Sequence, residues 1–336
     1  MKSNETTSNS STSVEEFDAS FLVKFRTRLK DPYFWADWMV VFAFLLVVII
    51  FGAIAPTKFL TMYNLNNILI ASAIPAILVI GQTFVVATAG IDLSVSSVMT
   101  FGAVTFGLAF TNGWSVLFAC LFGTIAGALC GIVNGVIISK WKINDFIVTL
   151  GMLSIASGFA LVLSHGSPRQ VINESLSKLA IGAVGELPYL MIIALVLATI
   201  AHFALFNTRF GTHVFATGGN EDSARSMGIS TVRIKIAVYT ISGVLAGFAA
   251  TLAVSRIGSA EPAANTALLL NSVAAVVLGG VSLFGGRGTI FGPIMATILL
   301  QSLSNGLTVV GVASYYQYIS IGSVVIISAM LVRTSK

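Results

Sequence analysis

Apolar residues fill this chain in long runs, broken by short polar or glycine-rich punctuation, and the runs are too continuous for amphipathic helices of a soluble core. A bilayer span takes about 20 predominantly apolar residues at a rise of 1.5 Å each. Ten stretches approach that length: residues 39–55, 67–88, 94–111, 114–138, 146–164, 188–205, 236–254, 269–284, 290–308 and 318–332. Those at 39, 269 and 318 are short, and glycine and serine soften the ends. The pattern predicts an all-α polytopic membrane protein with about ten transmembrane helices.

Basic residues test the orientation. If both termini are cytoplasmic, Lys2, Lys24, Arg26, Arg28, Lys30, Lys140, Lys142, Arg209, Arg225, Arg233, Lys235, Arg287, Arg333 and Lys336 share that side. Only Lys58, Arg169, Lys178 and Arg256 are left outside, as the positive-inside rule requires. Residues 1–20 are rich in Ser and Thr and lack the apolar core and cleavage pattern of a secretory leader, so they read as a disordered cytoplasmic tail. Residues 21–38 alternate Phe21, Leu22, Phe25 and Leu29 with basic residues and end in Tyr33, Trp35 and Trp38, the pattern of an interfacial helix leading to an aromatic belt. The rest, 39–333, reads as one membrane domain.

Composition agrees: 56% of the residues are hydrophobic and 9% charged. The excess of Lys and Arg is spread over short loops, which argues against a nucleic-acid surface. Cys120 and Cys130 lie in one apolar run and read as small helix residues rather than a disulfide or metal pair. His165, His202 and His213 are scattered without ligand spacing. There is no GxxxxGK[ST] motif, and "FGGRGT" (284–289) lacks the lysine that reaches a nucleotide's phosphates, so ATP is not hydrolysed by that route. No catalytic constellation, metal or cofactor is expected, and energy must come from a partner or an ion gradient.

Against this apolar background "GGNEDSARSMGIS" (218–230) stands out, within the longest expected cytoplasmic loop, 206–235. Asn220 suits an N-cap, Glu221 and Asp222 a first turn, Arg225 a last turn, and Gly228 a left-handed stop. The segment predicts a helix of about two turns, too short to be stable alone; something should pack on it.

An internal echo aligns "GIDLSVSSVMTFG" (90–102) with "GVSLFGGRGTIFG" (280–292), placing Gly90 on Gly280, Asp92 on Ser282 and Phe101-Gly102 on Phe291-Gly292. Related glycine-interrupted segments in two halves point to a transport pathway at a repeat interface. Polar residues within or beside spans are then the candidates to line it: Gln82, Asp92, Ser94, Asn134, Asn271, Ser282 and Asn305. All but Asp92 are neutral, which suits an uncharged polyol; the competing role is interhelical hydrogen bonding. Asp92 has a capping role open to it at the start of the following helix. The ladder Gly123, Gly127, Gly131 and Gly135 predicts close helix packing.

Five ordered motifs, "ATAGIDLSVSS", "INDFIVTLGMLSIASGFA", "ATGGNEDSARSMGISTVRIK", "NSVAAVVLGGVSLFGGRGTIFG" and "SNGLTVVGVASYYQ", resemble the membrane permeases of bacterial ABC importers for ribose, xylose, arabinose, galactose and similar sugars. The resemblance runs from about residue 40 to 332. It implies a homodimer or paired permease in the bacterial inner membrane, a cytoplasmic ATPase with two nucleotide-binding domains, and a periplasmic or lipid-anchored sugar-binding protein. It also implies that Asn220 to Ile229 form the coupling helix that docks on the ATPase, with Gly219, Asn220, Ala224, Met227, Gly228 and Ile229 as its working residues. On that view Ala224, Met227 and Ile229 face the partner, and Glu221, Asp222 and Arg225 sit at a wetter rim. The chain departs from the family where an acidic "ELDAIAA" run is common: it reads "LLNSVAA" (269–275). Nucleoside or branched-chain amino-acid ABC permeases, and an ion-coupled secondary transporter, are the alternatives.

Overall fold

A computed structural model describes residues 32–263, 266–317, 319–323 and 326. The chain runs through α1 (Pro32–Ile54), α2 (Pro56–Phe59), α3 (Met62–Ala87), α4 (Val95–Thr111), α5 (Val116–Lys140) and α6 (Asp145–Ser164). After β1 (Arg169–Gln170) and α7 (Glu174–Ile181), the strands β2 (Ala183–Val184) and β3 (Leu187–Pro188) form a hairpin that turns at Gly185, φ +58°. Next come α8 (Tyr189–Phe206), α9 (Arg209–Gly219), α10 (Glu221–Ser226), α11 (Thr231–Ile257), β4 (Ser259–Ala260), α12 (Thr266–Leu278) and α13 (Phe291–Val309). β1 pairs antiparallel with β4, Arg169 opposite Ala260, and so ties the connection after α6 to the end of α11.

Each of the first nine expected apolar runs overlaps a helix, and five helices (α3, α5, α6, α8 and α11) are long and apolar enough to cross a membrane. The tenth run falls largely outside the described residues, as do the tail over 1–20, most of the interfacial segment over 21–38, Arg333 and Lys336. Two expectations need correction. Residues 206–235 are not a loop: they hold α9, α10 and the first turn of α11. The run expected at 269–284 ends as a helix at Leu278, because Gly279 and Gly280 follow.

α3 is the centre. From Ser72 to Ala87 every residue is buried, as expected of a helix apolar all round. α8, α11, α12 and α13 gather about it. At the periphery the apolar side chains face outward: Leu117, Leu121, Ile125 and Leu129 on α5, Ile147 and Leu150 on α6, Val196, Ile200 and Phe203 on α8. Such a surface suits lipid and not water.

The glycine ladder packs as expected. A Cβ on Gly127 would overlap the carbonyl of Gly243, one on Gly131 the carbonyl of Tyr239, and one on Gly135 would lie 2.7 Å from Ile236 Cα. One on Gly123 would lie 2.7 Å from Gly102 O of α4. α5 and α11 therefore run backbone against backbone, closer than any side chain allows. Gly131→Val should lower the thermal stability of the purified protein in detergent, at an overpacking cost of about 1–3 kcal/mol. Gly151, whose Cβ would meet nothing within 4 Å, gives the control: Gly151→Ala should leave the melting curve in place.

Candidate functional site

Two helices break in the same way. After α3, Ala89 takes φ +59°, its N–H donates to Val86 O and that of Gly90 to Val85 O. After α12, Gly280 takes φ +82°, its N–H donates to Val277 O and that of Val281 to Val276 O. Both are Schellman ends. They correct the ungapped echo by one residue, since Ala89 and not Gly90 is the counterpart of Gly280. The second connection, 279–290, is longer than the first, 88–94, because it winds through further left-handed turns at Gly285 and Gly286. Phe101-Gly102 therefore lies inside α4 while Phe291-Gly292 opens α13, and Asp92 and Ser282 are not equivalent.

The first break is the more buried. Asp92 is 3% exposed, and it is the one carboxylic or basic side chain in the buried set of described residues. Its Oδ1 accepts from Ser94 N (2.9 Å) and Ser94 Oγ (2.6 Å), and its Oδ2 from Ser242 Oγ (2.9 Å) of α11. The expected cap of α4 is not made: Asp92 bonds the N–H of Ser94, the residue before the helix, and no side chain caps the helix itself. Asn134 Nδ2 of α5 donates to Ser94 Oγ (3.0 Å), and Gln82 Nε2 of α3 donates to the Asp92 carbonyl. Ile91 is held too: its N–H donates to Asp145 Oδ2 (2.6 Å), and its carbonyl accepts from Tyr239 OH (3.3 Å) and Thr149 Oγ1 (3.3 Å). Gln82, Asp145, Thr149 and Tyr239, from α3, α6 and α11, therefore satisfy backbone groups of Ile91 and Asp92, while Asn134 and Ser242 bond the side chains of Ser94 and Asp92.

Of the seven pathway candidates, Gln82, Asp92, Ser94 and Asn134 meet here. The other three lie elsewhere. Asn305 Oδ1 on α13 accepts from Asn64 Nδ2 on α3 (2.9 Å), an interhelical bond; Asn271 sits half-buried on α12; and Ser282 Oγ accepts from Phe284 N (3.2 Å) within the second break. Ser242, Asp145 and Tyr239 were missed, since a lone serine in "TISGVLAGFA" or an acid after a helix-capping Asn carries no sign of its distant partner.

The polar segment 218–230 lies against both breaks. Gly218 and Gly219 end α9, and a Cβ on Gly218 would overlap the Ala87 carbonyl. A Cβ on Gly285 would lie 2.6 Å from Gly218 O and 2.7 Å from Ala89 N, and Gly286 N donates to Ala87 O (3.1 Å). Only glycine allows three backbones to meet there. α10 follows, with Asn220 Oδ1 accepting from Ser223 N (2.8 Å) and Gly228 at φ +84° ending it. It spans Glu221–Ser226, shorter than the expected 220–229.

The face assignment on α10 also changes. Ala224 is 1% exposed and packs into its own chain, so it is not a contact residue on the outer face, whereas Met227 is 72% exposed and Ile229 half-buried. Glu221 is no rim charge. Its carboxylate accepts from Arg225 Nη2 (2.8 Å), Lys235 Nζ (2.6 Å) and Thr231 Oγ1 (3.2 Å), which fastens α10 to the start of α11. Partial burial alone would push the Glu221 carboxyl up, but the hydrogen bond and charge of Lys235, with Thr231 and Arg225, outweigh it and hold it below the ordinary glutamate value. Between α10 and the first break lies a cavity of about 340 Å³, bordered by Ala89, Gly90, Asp145, Glu221, Lys235 and Tyr239 among others.

Fold and site together define a multi-pass helical membrane protein. The chain belongs to the family described as branched-chain amino acid transport system / permease component, which it matches over residues 64–329. It is 38% identical over 316 residues to the ribose import permease protein of Escherichia coli (strain K12), covering 90% of this chain and 97% of that one. The D-allose transport system permease protein of the same organism is 32% identical (93% and 97% covered), and the fructose import permease protein of Rhizobium meliloti is 33% identical (96% and 92%). No solved structure matches the chain.

Two outcomes follow from the site. Asp92→Ala should leave the Ser242 and Ser94 donors buried and unpaired and cost about 1–3 kcal/mol each, read as a lower melting temperature; Asp92→Asn, which keeps an acceptor oxygen, should lose less. Because the Glu221 carboxyl is depressed, its anchoring is complete above the ordinary glutamate range and is lost as pH falls through the lowered value. Hydrogen exchange at 221–226, corrected for intrinsic rates, should stay slow from neutral to mildly acid pH and quicken only below. Glu221→Gln should exchange fast throughout.

Proposed function

We propose that this chain is the membrane permease of an ATP-driven importer that moves a monosaccharide into a bacterial cell across the inner membrane. The carrying observation is the match, nearly end to end, to permeases named for ribose, allose and fructose import. The chemistry supports it: these sugars are uncharged, and the buried polar side chains among the described residues are neutral apart from Asp92, whose carboxylate oxygens are already engaged. That leaves no free buried charge for an ion or proton path, which disfavours secondary transport.

Both termini and α10 are then cytoplasmic, and the connection holding α7 is periplasmic. Two copies of the permease sit on an ATPase with two nucleotide-binding domains, and a periplasmic or lipid-anchored binding protein delivers the sugar. α10 with its flanks, Gly219 to Ile229, is the coupling element. Exposed Met227 is its contact with the ATPase, Gly228 its stop and Asn220 its cap, while Ala224 seats it on the permease. Gln82, Asp92, Ser94 and Asn134 shape the broken-helix region beside the pathway.

Reconstitution with its cognate ATPase and binding protein, over a panel of ribose, allose, fructose, adenosine and leucine, tests this reading. ATP-dependent uptake of a sugar is expected; uptake of leucine or adenosine alone, or uptake without ATP, would overturn it. In the same system Met227→Asp should weaken co-purification of the ATPase, because an ionised group would have to be desolvated on docking.

A further inference from the structure

One face of α11 touches both the coupling element and the buried break. Thr231, Lys235, Tyr239 and Ser242 follow at helical spacing, so they share one stripe of the helix. Thr231 and Lys235 hold Glu221 of α10, while Tyr239 and Ser242 hold Ile91 and Asp92. From Lys235 to Ser242 is about 10 Å along the axis, two turns of a helix that has no proline or break. The stripe also forms one wall of the cavity, with Lys235 and Tyr239 both bordering it. Among the described residues one further side-chain bond joins α10 to α11, from Arg225 Nη2 to Thr231 Oγ1 (3.4 Å), and it ends on the same stripe.

We infer that this stripe is the side-chain link between the ATPase-docking helix and the α3–α4 break, beside the backbone contact of Gly218 with Ala87, with Glu221 and Ser242 as its two end fastenings. The inference rests on the importer reading above and deepens it. Glu221 and Ser242 are positioning residues: neither touches cargo, and each acts by holding an element to α11. Glu221 grips α10 through Lys235 and Thr231, whereas Met227 is exposed at the far end of the helix, so loosening Glu221 removes no docking side chain while letting α10 shift without carrying α11. Ser242 joins α11 to the carboxylate that organises the start of α4, so losing its hydroxyl leaves α11 moving without the break. Both losses interrupt one path, and they should not compound.

The test uses the full complex in liposomes and reads three quantities: ATPase bound, ATP hydrolysed and sugar moved. Glu221→Gln and Ser242→Ala should each keep the ATPase bound and hydrolysing while lowering sugar moved per ATP by about fivefold or more, the scale of an ordinary coupling energy. The double variant should be no worse than the worse single. Exchanging the charges, Glu221→Lys with Lys235→Glu, should recover part of the lost coupling, which a general loss of stability would not. Losses that multiply in the double variant, or unchanged sugar per ATP in both singles, would overturn the link and leave the importer reading standing. A wild-type chain that binds no ATPase would overturn both.

Discussion

The constraint on which the rest of this structure depends is the cost of unpaired backbone inside an apolar bundle. Where α3 stops and α4 has not begun, the N–H groups of residues 88–90 turn back on α3, but the N–H and carbonyl of Ile91 and the carbonyl of Asp92 have no helical partners and must be bonded by side chains. The chain answers with Asp92, whose two oxygens gather the N–H and hydroxyl of Ser94, just before the next helix, and the hydroxyl of Ser242 on α11. Around it Gln82, Asn134, Asp145, Thr149 and Tyr239 complete the set. A carboxylate buried without a basic partner is tolerable when it accepts several good hydrogen bonds and sits at a helix N-terminus. α4, at 17 residues, is short for a membrane helix because it starts from inside.

This explains why the small and polar residues cluster as they do. Glycines on α5 and α11 bring the backbones close enough for Asn134 and Ser242 to reach the break from either side. Glycines at 218, 219, 285 and 286 let the ends of α9 and α3 and the second break touch without side chains between them. The segment 218–230 is thus joined to the interior twice: by backbone contact at Gly218 and by Glu221, which bonds Thr231 and Lys235 of α11.

The helices were legible because a membrane helix announces itself by an unbroken apolar run, and the glycine ladder because its period of four puts every member on one face. The cap at Asn220 and the stop at Gly228 were legible for the same local reason. Contacts between distant segments were not. Ala224 looks like a contact residue in sequence because a short helix must bury something, but only the packed chain shows that it is buried inward. Glu221 reads as a solvated acid until α11 brings Lys235 and Thr231 beside it. The echo was placed one residue off because a left-handed alanine at 89 leaves no mark in the sequence, while its partner in the other half is an obvious glycine.

The backbone contact between α5 and α11 makes the two helices one beam. Side chains that interdigitate can slide by changing rotamers, but carbonyls nested in glycine notches have nothing to rearrange, so neither helix can rotate without the other. The outer flank of that beam carries Leu117, Leu121, Ile125 and Leu129, apolar chains that face away from the protein. Any turning of α11 therefore drags a leucine-rich edge through the surrounding acyl chains, and the fluidity of the lipid becomes part of the load against which the transporter works.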